Sequence, residues 1–273
     1  MATDVNPTLN GLAVAASDRD DHRWSVTDMI AAAIPVLLAA ALYVTYRVSP
    51  SFYLQYVLQG SEREHQAVEL ITFACTAAGT VLLLVAARRL WIAGEPAGAG
   101  NLIQRRGAFL IVGLVALATF FFAGEEISWG QSYFQWKTPD AVSAMTPETN
   151  LHNVRGLPIS VNSLGSVFLI VLFVVLPIGW RRRQTLGIPS SWLPAIAEWP
   201  VVFAMLFAFA VKLYKSLYRF LVAEAKTQTF YIEYVEQINE QKEMLVAVAL
   251  LIYAVYRVRA TKPGARWGRP GTP

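Results

Sequence analysis

Six long apolar runs constrain this chain more than any other feature of its sequence. They cover approximately residues 28–47, 67–91, 107–127, 161–180, 196–222 and 238–257. Each is near the roughly 20 residues that a helix needs to cross a hydrocarbon core of about 30 Å. Only 15% of the residues are charged, whereas an average soluble domain carries about 25%. The sequence therefore predicts an all-α polytopic membrane protein, built as a bundle of about six transmembrane helices.

The basic residues predict how this bundle is oriented. Arginine and lysine collect after the second, fourth and sixth runs, at residues 88–106, 181–183 and 257–269. Short connections rich in arginine and lysine stay in the cytoplasm. We therefore expect a multi-pass protein of the bacterial inner (plasma) membrane with both termini cytoplasmic. Residues 1–27 form a polar cytoplasmic segment, 28–258 the transmembrane domain, and 259–273 a basic disordered cytoplasmic tail.

Several function classes are disfavoured by composition and motifs. The isoelectric point is near 9.2, but the basic residues flank the apolar runs, so we expect the bilayer and no nucleic acid as partner. Cys75 is the single cysteine, which excludes an intramolecular disulfide and a cysteine metal site. The sequence also lacks a P-loop, a G-x-G-x-x-G loop, a G-x-S-x-G elbow and a C-x-x-C pair.

The longest polar insert, approximately residues 128–160, lies on the predicted external side. It contains "TPD" from Thr138 and "TPE" from Thr146. In each, the threonine can cap a helix, the proline suits the first helical position, and the acid favours the helix dipole. We expect two short interfacial helices that form a lid over the external face.

Charged residues on the last two runs have a regular spacing. Acids three or four residues apart lie on one helical face of the sixth run, and cations do so on the fifth. If the two runs form an antiparallel hairpin, facing residues have position numbers with a constant sum. Three pairs share one sum and predict a structural ion-pair ladder: Lys212 with Glu243, Lys215 with Glu240, and Arg219 with Glu236. Alternatively, these charges line a site or an ion pathway.

Carboxylates and one histidine from distant segments gather on the predicted external side. Glu125 and Glu126 end the third run, and Glu69 lies one turn into the second. In the lid, Glu148 and His152 are four residues apart and so adjacent on a helix. Carboxylates with a single imidazole suit Mn²⁺, Fe²⁺, Mg²⁺ or Ca²⁺ better than Zn²⁺. We predict Glu69, Glu126, Glu148 and His152 as metal ligands.

The same region supplies candidates for catalysis and substrate binding. Glu125, Glu126 and His152 are the candidate acid–base groups. Gln131, Asn150 and Asn153 are candidate substrate-binding residues. If the third helix continues to about Tyr133, Glu126 shares a face with Trp129. The structural alternatives are that Glu125, Glu126 and Glu69 reach into the headgroup layer, that Glu148 caps a helix dipole, and that His152 donates to a loop carbonyl.

The amino-acid sequence of these segments resembles a known set of motifs. "GEEISWGQ" at 124–131 and "ETNLHN" at 148–153, preceded by "AVEL" at 67–70, are similar to motifs of uncharacterised multi-pass bacterial membrane proteins. This resemblance covers residues 60–155 and implies no particular activity. The sequence does not resemble alkaline ceramidase-like membrane hydrolases, because the histidines of their three-histidine zinc site have no counterpart here.

Three functions stay open from the sequence. The leading hypothesis is a metal-dependent membrane-embedded enzyme that acts on a lipid or lipid-linked substrate through the external Glu/His site. A non-catalytic accessory or assembly subunit is the alternative, docking a membrane-protein partner through the hairpin tip at 222–236. A small-solute or ion transporter is third, weakened by the absence of internal repeats.

Overall fold

The computed structural model describes residues 24–58, 67–92, 102–134, 137, 161–180, 190–222, 228–235 and 237–262. All regular secondary structure in these ranges is helical. The prediction of an all-α polytopic membrane protein is therefore confirmed.

Long helices follow the apolar runs closely. We number them α1 to α6 in chain order: α1 is Val26–Val48, α2 is Ala67–Ile92, α3 is Leu102–Glu126, α5 is Trp199–Leu221 and α6 is Ile238–Ala260. Helix α4 comprises Val161–Ile170, a π-helical turn at Val171–Val175, and Leu176–Trp180. Short helical segments lie at Pro50–Phe52, Tyr53–Leu58, Ser128–Gly130, Gln131–Phe134, Ser190–Ala195 and Tyr231–Val235.

The helices run alternately up and down. At one end, which we call the Arg257 end, the Tyr256 hydroxyl of α6 donates to Asp28 near the start of α1. At the same end, Arg89 near the end of α2 donates to the Val258 carbonyl over 2.9 Å. The opposite end, which we call the Glu126 end, contains the end of α3 and the start of α6. The first and last described residues, Trp24 and Lys262, thus lie at one end of the bundle.

Helix α6 is the most enclosed of the six long helices. It packs against α1, α2 and α5, and 14 of its 23 residues are buried. By contrast, 11% of the Ser163–Trp180 window in α4 is buried. A helix surrounded by protein has no lipid-facing surface to keep apolar, so α6 tolerates more charge than its neighbours do.

Among the residues that the structure describes, five helices are long and apolar enough to cross a membrane: Val26–Val48, Ala67–Ile92, Arg106–Glu126, Ser163–Trp180 and Trp199–Leu221. Helix α6 runs the length of the same bundle and is 23 residues long, but it carries too many charged residues to be counted with them. The six-span count and the cytoplasmic side of the termini therefore stay predictions.

Small residues bring α2 close to its neighbours. Thr72, Thr76 and Thr80 are buried, and their hydroxyls donate to carbonyls four residues earlier over 2.7–2.9 Å. A Cβ atom at Gly79 would lie 3.8 Å from the Leu251 Cα of α6. Small side chains with internally satisfied hydroxyls allow close helix packing in membranes.

Candidate functional site

A cavity of about 200 Å³ lies between α3, α4, α5 and α6 near the Glu126 end. Most of its wall is apolar, formed by aliphatic and phenylalanine side chains such as Phe122, Leu169 and Val246. Charged groups also line it: Glu125, Glu126, Lys242 and Glu243. We call this space the Glu126 cavity. An apolar chamber with a few convergent polar groups is the usual form of a small-molecule site.

The chain leaves α3 through a left-handed turn. Helix α3 ends at Glu126, and Ser128, Trp129 and Gly130 have φ values of 45°, 56° and 78°. Such values are uncommon for residues other than glycine. The Gly130 amide donates to the Ile127 carbonyl over 2.7 Å and closes this turn. Helix α3 therefore does not continue to Tyr133, and the face that Glu126 would then share with Trp129 is not formed.

This turn folds Trp129 back onto the end of α3. Its Nε1 donates to Glu125 Oε1 over 2.8 Å. The ring packs at right angles to Phe120 and Phe121, with centroid distances of 5.9 and 5.6 Å. A Cβ atom at Gly124 would lie 2.7 Å from the indole. The "GEEISWG" sequence therefore places Trp129 against Gly124 and Glu125. Trp129 does not share a helical face with Glu126.

Glu126 lies in a group of like charges. The carboxylates that act on it are Glu243 and Glu240 of α6 and Glu69 of α2, in decreasing order. Lys242 acts on it with the opposite charge. Glu69 and Glu126, both predicted from sequence as ligands or acid–base groups, are thus close enough to interact. Their partners Glu148 and His152 lie outside the described residues.

Lys242 is a member of this site that sequence reasoning missed. Its side chain is 9% exposed, and Nζ lies 3.6 Å from Glu243 Oε1. The spacing of the acids did not indicate Lys242, because this residue lies on a different helical face from Glu240 and Glu243. The sequence did contain a signal for this site, namely a lysine among the acids at the start of the helix, because a buried lysine needs a nearby anion.

The remaining predicted site residues are only partly described by the structure. Gln131 is partly buried in the short helix that follows the left-handed turn. Asn150, Asn153 and the predicted lid helices lie outside the described residues. Where residues are described, no group of three or more His, Cys, Asp or Glu side chains could hold a metal ion. The metal site predicted from Glu69, Glu126, Glu148 and His152 stays a prediction.

The Arg257 end holds a second buried charge. Arg257 is 1% exposed, and its guanidinium donates to Glu198 and to the Pro194 carbonyl. The guanidinium also lies 5.1 Å from the Tyr253 ring centroid, while the Tyr253 hydroxyl donates to the Ala195 carbonyl over 2.8 Å. These contacts join the start of α5 to the end of α6.

The ion-pair ladder stays a prediction, although one observation supports its register. Glu198 and Arg257 have the same position sum as the three predicted pairs. Glu243 also has Lys242 as a neighbour. Lys215 and Glu240 are both partly buried, and Lys212 and Arg219 are exposed. Glu236 lies outside the described residues.

The aromatic residues near the hairpin tip are packed inside the bundle. Tyr231 and Tyr234 are 3% and 7% exposed. Phe230 stacks on Tyr234 with a centroid distance of 5.5 Å, and Tyr46 of α1 donates to Glu233 over 3.1 Å. These two tyrosines therefore form core contacts, and docking of a partner at 222–236 stays a prediction.

Comparison with protein families, with curated proteins and with solved structures finds no match to this chain.

Proposed function

We propose that this protein is a membrane-embedded enzyme that acts on a lipid or lipid-linked substrate, with the Glu126 cavity as its active site. The observation that supports this most is the position of Glu126, at the polar end of an apolar cavity and among other carboxylates. A chamber of this kind suits an amphiphile whose chain lies between helices and whose polar part meets the carboxylates.

The route of such a substrate follows from α4. Gly165 and Ser166 line the cavity from this helix, which is the least buried of the candidate spans. A Cβ atom at Gly165 would meet no atom within 4 Å. A lipid therefore reaches the cavity sideways from the bilayer, beside the start of α4, without crossing an aqueous face.

The charge of the cavity indicates what chemistry its residues perform. Closely spaced carboxylates favour the binding of a proton or a divalent cation between them. Glu126 is the general acid–base group in this proposal, because carboxylates near one another hold and release protons readily. Glu148 and His152 of the lid would complete a site for Mn²⁺, Fe²⁺, Mg²⁺ or Ca²⁺.

Glu125 has a different role from Glu126. Its carboxylate accepts the Trp129 Nε1 hydrogen bond, which fixes the side chain at the margin of the cavity. We assign Glu125 as a positioning residue that holds the left-handed turn against the end of α3.

A lipid-profiling experiment tests this function. The chain is expressed in a bacterial host that lacks it, and total lipid extracts are compared by mass spectrometry with those of an empty vector. We expect at least one lipid species to rise or fall with the wild-type chain. The E126Q change should abolish that difference, because an amide neither donates nor accepts a proton at neutral pH.

Glu233→Gln is the matched control, since Glu233 lies near the same end but outside the Glu126 cavity. It should leave the lipid change intact at equal expression. A lipid profile that responds equally to E126Q and E233Q, or that does not respond to the wild-type chain, contradicts the proposal. Metal analysis of purified wild-type and H152A protein separately tests the divalent cation.

A further inference from the structure

A second cavity, of about 440 Å³, lies at the Glu126 end on another side of α6. Its walls come from the end of α1, the end of α5 and the segment that leads into α6. Three tyrosines and a phenylalanine dominate the lining, together with Arg47 and Gln241: Tyr43, Tyr214, Phe230 and Tyr234. We call it the tyrosine cavity. Its volume is in the range of about 300–1,000 Å³ that is usual for small-molecule sites.

The inner wall of this cavity is held by aromatic and polar contacts. Tyr43 packs edge-on against Tyr234 with a centroid distance of 5.6 Å. Gln241 donates to the Tyr53 hydroxyl over 2.7 Å. Burial raises the pKa of Tyr234 to about 12, so its hydroxyl stays protonated at neutral pH and can donate. These contacts define the shape of the inner wall.

Arg47 is the charged residue of the lining. It lies in the last turn of α1, at the level where a span meets the headgroup layer. No ion pair between Arg47 and another described residue is formed. The Glu233 carboxylate nearby accepts the Tyr46 hydroxyl. An arginine beside tyrosine hydroxyls is a donor set that suits phosphate.

The position of the cavity favours a lipid over a soluble ligand. Tyr43 and Tyr214, from α1 and α5, are 43% and 44% exposed, and the apolar side chains of Val44 and Leu213 beside them are also exposed. Ala39 and Val211 continue the lining away from Arg47, along the direction that an acyl chain would take. Both helices are candidate membrane spans, so we expect this opening to face the bilayer.

We propose that the tyrosine cavity binds the phosphate headgroup of an anionic membrane lipid, with Arg47 and the tyrosine hydroxyls as donors and an acyl chain between α1 and α5. This site is distinct from the Glu126 cavity and does not depend on the function proposed above. The two cavities carry opposite charge, and α6 separates them: Gln241 lines one, while Lys242 and Glu243 line the other.

Native mass spectrometry of the detergent-purified full chain tests this proposal. The protein is mixed with equal amounts of phosphatidylglycerol and phosphatidylcholine, and retained lipids are counted. We expect wild-type protein to retain phosphatidylglycerol preferentially. The R47Q change should reduce that preference about tenfold, the loss expected for a charge-assisted hydrogen bond to phosphate.

Arg219→Gln is the matched control, because Arg219 also lies in the last turn of its helix at the same end but outside the tyrosine cavity. It should keep the wild-type preference. Equal losses in R47Q and R219Q, or no preference in the wild type, overturn the proposal. Displacement of the lipid by millimolar inorganic phosphate also overturns it, since the site would then serve a soluble anion.

A second variant separates binding from folding. Ala39→Phe adds a ring to the cavity wall without changing charge, and should reduce retention of both lipids at an unchanged unfolding temperature. Full lipid retention in this variant contradicts a ligand in the tyrosine cavity, whatever the result for R47Q.

Discussion

The two ends of α6 both place charged side chains inside the protein, but they satisfy them differently. At the Arg257 end, one guanidinium meets one carboxylate, one carbonyl and one aromatic ring. At the Glu126 end, several carboxylates act on Glu126 and one lysine offsets them, beside a cavity. The first arrangement is one pair of opposite charges, and the second is a group of several carboxylates with a lysine beside them.

We expect this difference to separate structural charge from functional charge. A paired ion inside a protein is costly to break because its partner is left without a counter-charge. Like charges held close together repel one another, and such groups are frequent at functional sites. The same substitution should therefore have opposite effects at the two ends.

Glutamate-to-glutamine changes test this contrast and should give the largest effect. Glu198→Gln leaves Arg257 buried without an anion and should lower the free energy of unfolding by about 3 kcal/mol. Glu126→Gln removes a like charge from the carboxylate group and should leave stability unchanged or raise it. Denaturant or thermal unfolding in detergent measures both.

Arg259→Gln is the control for the Arg257 end, since Arg259 is exposed on the same turn of α6. It should be neutral within about 0.5 kcal/mol. If E126Q destabilises the protein as strongly as E198Q does, the Glu126 group is a structural network and the contrast between the ends fails.

The extent of the helices could be read from the sequence because the lipid acts as a solvent. Every backbone group in hydrocarbon must be bonded internally, so an apolar run of the right length becomes a helix of nearly that length. The predicted run 67–91 corresponds to Ala67–Ile92, and 238–257 to Ile238–Ala260. Neither of these two predictions required knowledge of which helices pack against each other.

The site was only partly predictable, for physical reasons. The segments that deliver Glu69 and Glu126 follow from topology, and their side chains do interact. The return of Trp129 onto Gly124 depends on left-handed conformations at Ser128 and Trp129, which their residue types do not favour. The Glu198–Arg257 pair escaped notice because arginines beside a span are already explained by topology.

Two glycine–tryptophan contacts on α3 give the next test of the contrast. Trp192 covers Gly107 near the Arg257 end, and Trp129 covers Gly124 near the Glu126 end. Alanine at either position forces an indole to move and should cost about 1–3 kcal/mol in unfolding free energy. Only G124A displaces the donor to Glu125, so only G124A should also reduce the Glu126-dependent lipid change per folded molecule.

Gly113→Ala is the matched control within α3, because a Cβ atom there meets nothing within 4 Å. It should be neutral or stabilise by up to about 1 kcal/mol, the difference in helix propensity. An equal loss of the lipid change in G107A and G124A would show that overall stability, and not the end of α3, controls the site.

Glu240 offers the finest test, because two interpretations compete for it. The ladder pairs it with Lys215, whereas its charge also acts on Glu126. If the pair is structural, K215E should cost about 0.3–1 kcal/mol, as partly exposed ion pairs do, and adding E240K should restore the wild-type unfolding temperature. If E240K gives no rescue and instead alters the lipid change, Glu240 belongs to the carboxylate group of the Glu126 end. The ladder would then begin farther from the Glu126 end. The boundary between structural and functional charge on α6 would lie between Glu240 and Arg257.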